Sequence, residues 1–265
     1  MGLTMAVIEI ENLCFGYHGR PIGRDLSLSL DAGDVTCLLG PNGSGKTTFL
    51  KTILGLQPAL GGTIRIAGEN AADWSPEQRA QNLAYVPQSI SAAFPFPVRD
   101  MVLMGRTARL GLFAYPGEND RAEADAALEK LGVVALAERS FTEISGGERQ
   151  LVVIARALAQ QAKAVILDEP TASLDFANQG RVLEIISWLK RRGLTVLFST
   201  HHPDQAFAVA DKVAMMRQGS LVGAGSVASV LTETALRDLY GVHVSISDVG
   251  GRKVCFAELP NKQWT

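Results

Sequence analysis

Val35-Thr36-Cys37-Leu38-Leu39-Gly40-Pro41-Asn42-Gly43-Ser44-Gly45-Lys46-Thr47-Thr48 is the stretch whose reading decides the fold. Val35 to Leu39 is a short apolar run that reads as a buried strand. A glycine-rich loop follows from Gly40, and a helical pattern begins near Thr47. Gly40 to Thr47 matches G-x-x-x-x-G-K-[ST]. The composition suits phosphate binding, because backbone N–H groups must curl around oxygens and glycine lets the chain approach without a Cβ. A helix N-terminus adds partial positive charge. Lys46 would reach the outer phosphates, and Thr47 would hold a magnesium ion.

A metal held there needs a carboxylate, and Val165-Ile166-Leu167-Asp168-Glu169 offers two at the end of a buried-type strand. Asp168 is placed to position the metal, and Glu169 to polarise an attacking water. Ligands of open α/β sheets sit at strand carboxyl ends, where these residues fall. Further apolar runs at Ala164–Leu167 and Thr195–Phe198, each flanked by helical pattern, argue for a parallel sheet covered by helices. Val7–Tyr17, Leu26–Leu30 and Gly62–Ala67 read as an antiparallel patch near the N-terminus.

Helix punctuation is visible elsewhere. Asp120 and Glu123 have capping-box-like spacing, Leu128 and Leu131 follow, and Gly132 stops the pattern. Val182, Ile185, Ile186 and Leu189 share one helix face, with Lys190, Arg191 and Arg192 favouring its C-terminus and Gly193 just beyond. Ala92 to Pro97 is a break, after which the chain reads as mostly helical to about Gln160. Residues 231–265 carry only weak pattern.

Composition narrows the function. The 265 residues carry 25 basic and 27 acidic side chains, a net charge of −2, so neither a nucleic-acid stripe nor a polybasic membrane patch is expected. With 47% hydrophobic residues a sizeable core is expected. Cys14, Cys37 and Cys255 are far apart and form no CxxC pair, which suits buried hydrophobes in a reducing compartment. Met1 to Ala6 shows no signal-peptide pattern, and no apolar stretch is long enough to span a bilayer. A membrane role must therefore run through a partner.

With both sites placed, the chain resembles the ATP-binding-cassette ATPases over nearly its whole length. Leu38–Thr48 looks like Walker A and Val165–Pro170 like Walker B. Ser145-Gly146-Gly147-Glu148-Arg149-Gln150, preceded by Ile144, looks like the family signature, with Glu148 where Gln is usual. Ser145 can cap a helix there, and paired glycines can expose N–H groups to phosphate. Tyr17 looks like the aromatic that stacks on adenine, Gln88 like the Q-loop glutamine and Ser173-Leu174-Asp175 like the D-loop. His201 looks like the switch histidine, although His202 stands beside it.

The resemblance implies an α/β P-loop NTPase with a RecA-like core and mostly parallel sheet. It adds an N-terminal antiparallel β-subdomain and a helical subdomain inserted at about 90–160, the ATPase unit covering 1–230 and a short extension covering 231–265. It implies ATP and Mg²⁺ as ligands, held by Tyr17 and by Gly40, Pro41, Asn42, Gly43, Ser44, Gly45, Lys46, Thr47 and Thr48. Thr47, Gln88 and Asp168 would organise the metal, and Glu169, His201 and Gln88 the chemistry. Ser145, Gly146, Gly147, Glu148 and Asp175 would complete the site of a second copy in a head-to-tail dimer.

Partners implied are integral-membrane permease subunits and a substrate-binding protein, with this chain peripheral on the cytoplasmic face of the inner membrane. Phe94-Pro95-Phe96-Pro97-Val98, Asp100–Arg106 and Leu110-Gly111-Leu112-Phe113 resemble the branch that imports iron chelates, haem and cobalamin, some of whose members carry molybdate or tungstate. His201-His202-Pro203-Asp204-Gln205-Ala206 is compatible with that branch. Another importer, an exporter, or a scaffold cassette free of membranes remain alternatives.

Overall fold

The structure is a computed structural model that describes residues 6–89, 94–111 and 114–258. Ala92, Leu112 and Phe113, on which parts of the sequence reading fall, lie outside them. The strands are β1 (Ala6–Tyr17), β2 (Arg20–Asp31), β3 (Val35–Leu39), β4 (Gly61–Ile66), β5 (Glu69–Asn70) and β6 (Leu83–Val86). They continue as β7 (Ala164–Leu167), β8 (Thr195–Thr200), β9 (Lys212–Arg217), β10 (Ser220–Ser226), β11 (Val244–Val249) and β12 (Arg252–Ala257). The helices are α1 (Lys46–Ile53), α2 (Pro76–Asn82), α3 (Val98–Leu103), α4 (Glu118–Lys130) and α5 (Gly146–Ala159). After them come α6 (Phe176–Arg191), α7 (Pro203–Val209), α8 (Val227–Val230) and α9 (Glu233–Tyr240).

The central sheet has the order β10-β9-β3-β8-β7-β6, parallel except for β10. β3, β7 and β8 are buried along their whole length, as expected for the parallel strands of a sheet covered on each side, whereas the edge strand β10 has no buried residue. Alternate residues feed two cores. Val35, Cys37, Leu39, Val165, Leu167, Val196 and Phe198 join one core with α5, α6 and α9. Leu38, Ile166, Leu197 and Ala214 join the other, which holds α1 and the antiparallel sheet β2-β1-β4-β5.

Register places the functional loops. Leu39 of β3 lies opposite Thr200 of β8, Leu167 of β7 opposite Phe198, and Val86 of β6 opposite Leu167. The chain segments leaving β3, β6, β7 and β8 therefore emerge from one edge of the sheet.

The antiparallel patch is longer than its sequence signal. β2 starts at Arg20 rather than Leu26, because it is the outer strand of its sheet and carries polar residues there. Ala67 leaves β4, since its φ of 52° belongs to a turn. Between β6 and β7 the elements are helical, with α3 and α4 packed on α5. Leu151, Val152, Val153 and Ile154 of α5 are all buried, and each side chain so buried contributes about 1.5–3 kcal/mol.

The reading of Asp120 needs correction. α4 begins at Glu118 with Gly117 as its cap, and Asp120 sits in the first turn, where its carboxylate accepts from the Gly117 N–H at 3.1 Å. Glu123 is mid-helix and has no capping role. Asp120 is placed by a half-buried ion pair to Arg106 at 3.0 Å, which lies 14 residues away and leaves no local signal.

The weak pattern after residue 230 also hides ordered structure. Leu231, Leu236 and Leu239 are buried in the core that holds α5 and α6, and β11 and β12 form a hairpin.

Candidate nucleotide site

β3 ends at Leu39, and the chain turns at Gly40, where a Cβ would lie 2.2 Å from the Met216 carbonyl oxygen. Only glycine fits that approach. Gly45 has a φ of 104° and caps α1 without a side-chain acceptor, so the first N–H groups of the helix face the loop. The Ser44 hydroxyl is buried without a hydrogen-bond partner among the described residues. Donors gathered on a helix N-terminus make an anion site.

The Lys46 ammonium folds back over this loop. It donates to the Gly40 carbonyl at 2.7 Å and the Pro41 carbonyl at 3.2 Å, and it lies 3.2 Å from Glu169 Oε1. Asn42, Gly43, Ser44, Gly45, Lys46, Thr47 and Thr48 line a cleft of about 750 Å³. Tyr17, Gln88 and Glu169 also line it. Tyr17 ends β1 at the cleft mouth and is 54% exposed, so its ring face is free to stack on a planar ligand.

Asp168 and Glu169 follow β7. Glu169 has a φ of 44°, a conformation side chains seldom adopt and one found where function over-determines the backbone. Ser199 of β8 secures the bend: its hydroxyl accepts from the Glu169 N–H at 2.9 Å and donates to Asp168 Oδ1 at 2.6 Å. Asp168 is fully buried, and its Oδ2 has no hydrogen-bond partner among the described residues. Burial and the Asp168 charge push the Tyr85 hydroxyl up to about 12.

Two more expected residues converge on Glu169. Gln88 Nε2 donates to Oε2 at 3.4 Å. His201 Nδ1 lies 3.2 Å from the same oxygen, outside hydrogen-bond alignment. His202 stacks on His201 with ring centroids 4.1 Å apart, and burial followed by the His201 charge lowers its pKa. Of the two histidines, His201 is the one the fold brings to Glu169.

The signature segment stands apart. Ser145 caps α5 by accepting from the Glu148 N–H at 3.3 Å, and the Glu148 carboxylate accepts from the Ser145 N–H at 2.8 Å. The Ser145 N–H, and after it the Ser145 side chain, hold the Glu148 carboxyl below its usual range. Gly146 and Gly147 begin that helix, and Asp175 caps α6 by accepting from the Asn178 N–H at 2.8 Å. Among the described residues, none of Ser145, Gly146, Gly147, Glu148 and Asp175 lines the cleft of its own chain.

Sequence reading missed Ser199, whose only signal was a polar residue near the end of an apolar strand. It also missed Arg20 and Ile22 at the start of β2 and Gln218 in the β9–β10 turn, which line the cleft with Tyr17. Thr171, Thr200 and Gln205 form a buried network under the site, with both hydroxyls within 3.1 Å of the Gln205 amide oxygen.

Comparison with known proteins agrees with this geometry. Residues 24–172 match the family model described as ABC transporter. An ABC transporter ATP-binding protein of Haemophilus influenzae is 45% identical over 88% of this chain and 89% of its own. The molybdate import ATP-binding protein MolC of the same species is 37% identical over 88% of this chain and 87% of its own. A solved structure assigned to the metal-chelate type of ABC transporter, in an inward-facing conformation, superposes with a TM-score of 0.84 at 33% identity. It covers 96% of this chain and 98% of that one. A phosphate loop after β3, paired carboxylates after β7 at the same edge of the sheet and a matching family model over half the chain leave one assignment: the chain belongs to the ABC transporter family, as a subunit that binds and hydrolyses ATP.

Proposed function

We propose that this chain powers a bacterial membrane importer of a metal-containing cargo, working as a head-to-tail pair beneath permease subunits on the cytoplasmic face of the inner membrane. The observation that carries the energy-converting half is the convergence of Lys46, Gln88 and His201 on the Glu169 carboxylate. The cargo class rests on likeness to MolC, which imports molybdate, and to the metal-chelate-type transporter structure. A substrate-binding protein outside the membrane would deliver the cargo, as the resemblance implies.

The loop amides, Ser44 and Lys46 bind the triphosphate, and Tyr17 stacks on adenine. Magnesium fits the residues present, because the unpartnered Asp168 Oδ2 and the Thr47 hydroxyl are hard oxygen donors. Gln88 completes that set, and the bound ion would neutralise charge developing on the phosphates. Lys46, on moving to the γ-phosphate, releases Glu169 to orient and deprotonate water. His201 contacts the γ-phosphate, and Ser145, Gly146, Gly147, Glu148 and Asp175 of a second copy close the site. Catalysis is then chiefly positioning and charge stabilisation.

The permease contact falls at a groove of about 470 Å³ between the sheet body and the helical segment. Leu56, Trp74, Tyr85 and Met104 line it, and Leu56 is 62% exposed. The groove's apolar rim suits a short helix from a membrane subunit.

Elemental analysis of host cells carrying Glu169→Gln, grown with limiting metals, tests this reading. A selective fall in iron, cobalt or molybdenum relative to wild type supports metal-cargo import and names the element. Unchanged metals, with ATPase activity of the wild-type chain confirmed in vitro, would overturn it and bring export or a scaffold role forward.

A further inference from the structure

We infer that the C-terminal segment is a clasp that holds His201 in its working position, with Tyr240 as the positioning residue. The Tyr240 hydroxyl donates to the His201 carbonyl oxygen at 3.0 Å, across 39 residues of sequence. It is the last residue of α9, whose Leu236 and Leu239 are buried in the main core. The hydroxyl is therefore mounted on a fixed element.

A second tie lies just beyond the histidine. The Cys255 N–H of β12 donates to Asp204 Oδ1 at 2.7 Å, in the first turn of α7, and β12 lies along that helix. The hairpin is joined to α9 where the Ile246 N–H donates to Glu233 Oε1 at 2.8 Å. The turn from β8 to α7, which carries His201, is thus held from the C-terminal side at both ends.

The physical need is clear from the site. His201 reaches Glu169 over 3.2 Å without an aligned hydrogen bond, so its ring is not fixed by that contact. A backbone anchor on the same residue supplies the missing constraint. Burial raises the Tyr240 hydroxyl well above its ordinary range, so it remains a donor at working pH.

This inference rests on reading His201 as the γ-phosphate contact, and the test separates the two. Steady-state ATPase kinetics would be measured on the full chain for Tyr240→Phe, His201→Ala and the double variant. Loss of one anchoring hydrogen bond predicts a kcat lower by about 3- to 10-fold for Tyr240→Phe, with KM for ATP unchanged. The double variant should be no slower than His201→Ala alone, because both act through one group. Asp204→Ala, which cuts the second tie, should lower kcat in the same way.

A wild-type kcat for Tyr240→Phe and for Asp204→Ala would overturn the clasp and leave the His201 reading standing. Additive losses in the double variant would also overturn it, since Tyr240 would then act independently of His201. Wild-type turnover by His201→Ala would overturn the underlying reading itself.

Discussion

Lys46 Nζ and Glu169 Oε1 lie 3.2 Å apart with side chains only 4% and 10% exposed. A buried ion pair of this kind is sensitive to loss of either partner. Under the proposed function the two partners also have separate tasks, the ammonium turning to phosphate and the carboxylate to water. Glu169→Gln keeps the shape and removes the base. Turnover should fall by about 10²- to 10⁴-fold, while ATP binding is kept, as read by single-turnover hydrolysis beside a nucleotide-binding titration. Hydrolysis at the wild-type rate would remove Glu169 from the chemistry.

Ser199 ties the two carboxylates together through bonds of 2.9 and 2.6 Å. Ser199→Ala leaves a buried N–H and a buried carboxylate oxygen unpaired, at a cost of about 1–3 kcal/mol. Thermal unfolding should show that loss. A magnesium titration of ATPase activity should show a raised metal requirement, because Asp168 loses the donor that orients it. An unchanged requirement would confine Ser199 to a structural role.

How far the sequence could be read follows from the range of each interaction. The phosphate loop was legible because its strand, loop and helix are contiguous, and the α1 start fell within one residue of expectation. The carboxylates of Asp168 and Glu169 were legible for the same reason. Ser199, Tyr240 and the Arg106–Asp120 pair were not, since each acts across 14 or more residues. The first strand, read as Val7–Tyr17, was legible to within one residue although bulges between Ile10 and Phe15 interrupt its alternation. α9 spans eight residues with two buried leucines, too short a period to stand out.

Acid should loosen the helical segment through Asp120. Its hydrogen bonds with Arg106 and then with the Gly117 N–H hold its carboxyl below the usual Asp range. The unfolded chain therefore binds this proton more readily, so stability rises with pH through that window. The contribution is present above the unfolded Asp value near 4 and is lost as pH falls through the folded value. Asp120→Asn should be less stable than wild type at neutral pH and should show a shallower decline in urea midpoint between about pH 5 and pH 3. Parallel curves for the two proteins would remove Asp120 as the source.

The signature residues supply the sharpest test of assembly. Ser145 and Glu148 cap α5 in a reciprocal box, yet they do not line the cleft of their own chain. If a second copy provides them, a lesion in Lys46 and a lesion in Ser145 belong to different chains of one site. Lys46→Ala alone and Ser145→Arg alone should each be inactive, since both sites of either homodimer are damaged. In a mixed dimer both lesions fall in one site and the other is intact. Random mixing should therefore restore up to about a quarter of wild-type ATPase activity in a two-fold symmetric pair. Circular dichroism melting of each variant would establish that it is folded before mixing, because Ser145→Arg also removes a cap of about 1 kcal/mol. If the signature served its own chain's cleft, every chain in the mixture would carry one dead site and no activity would return.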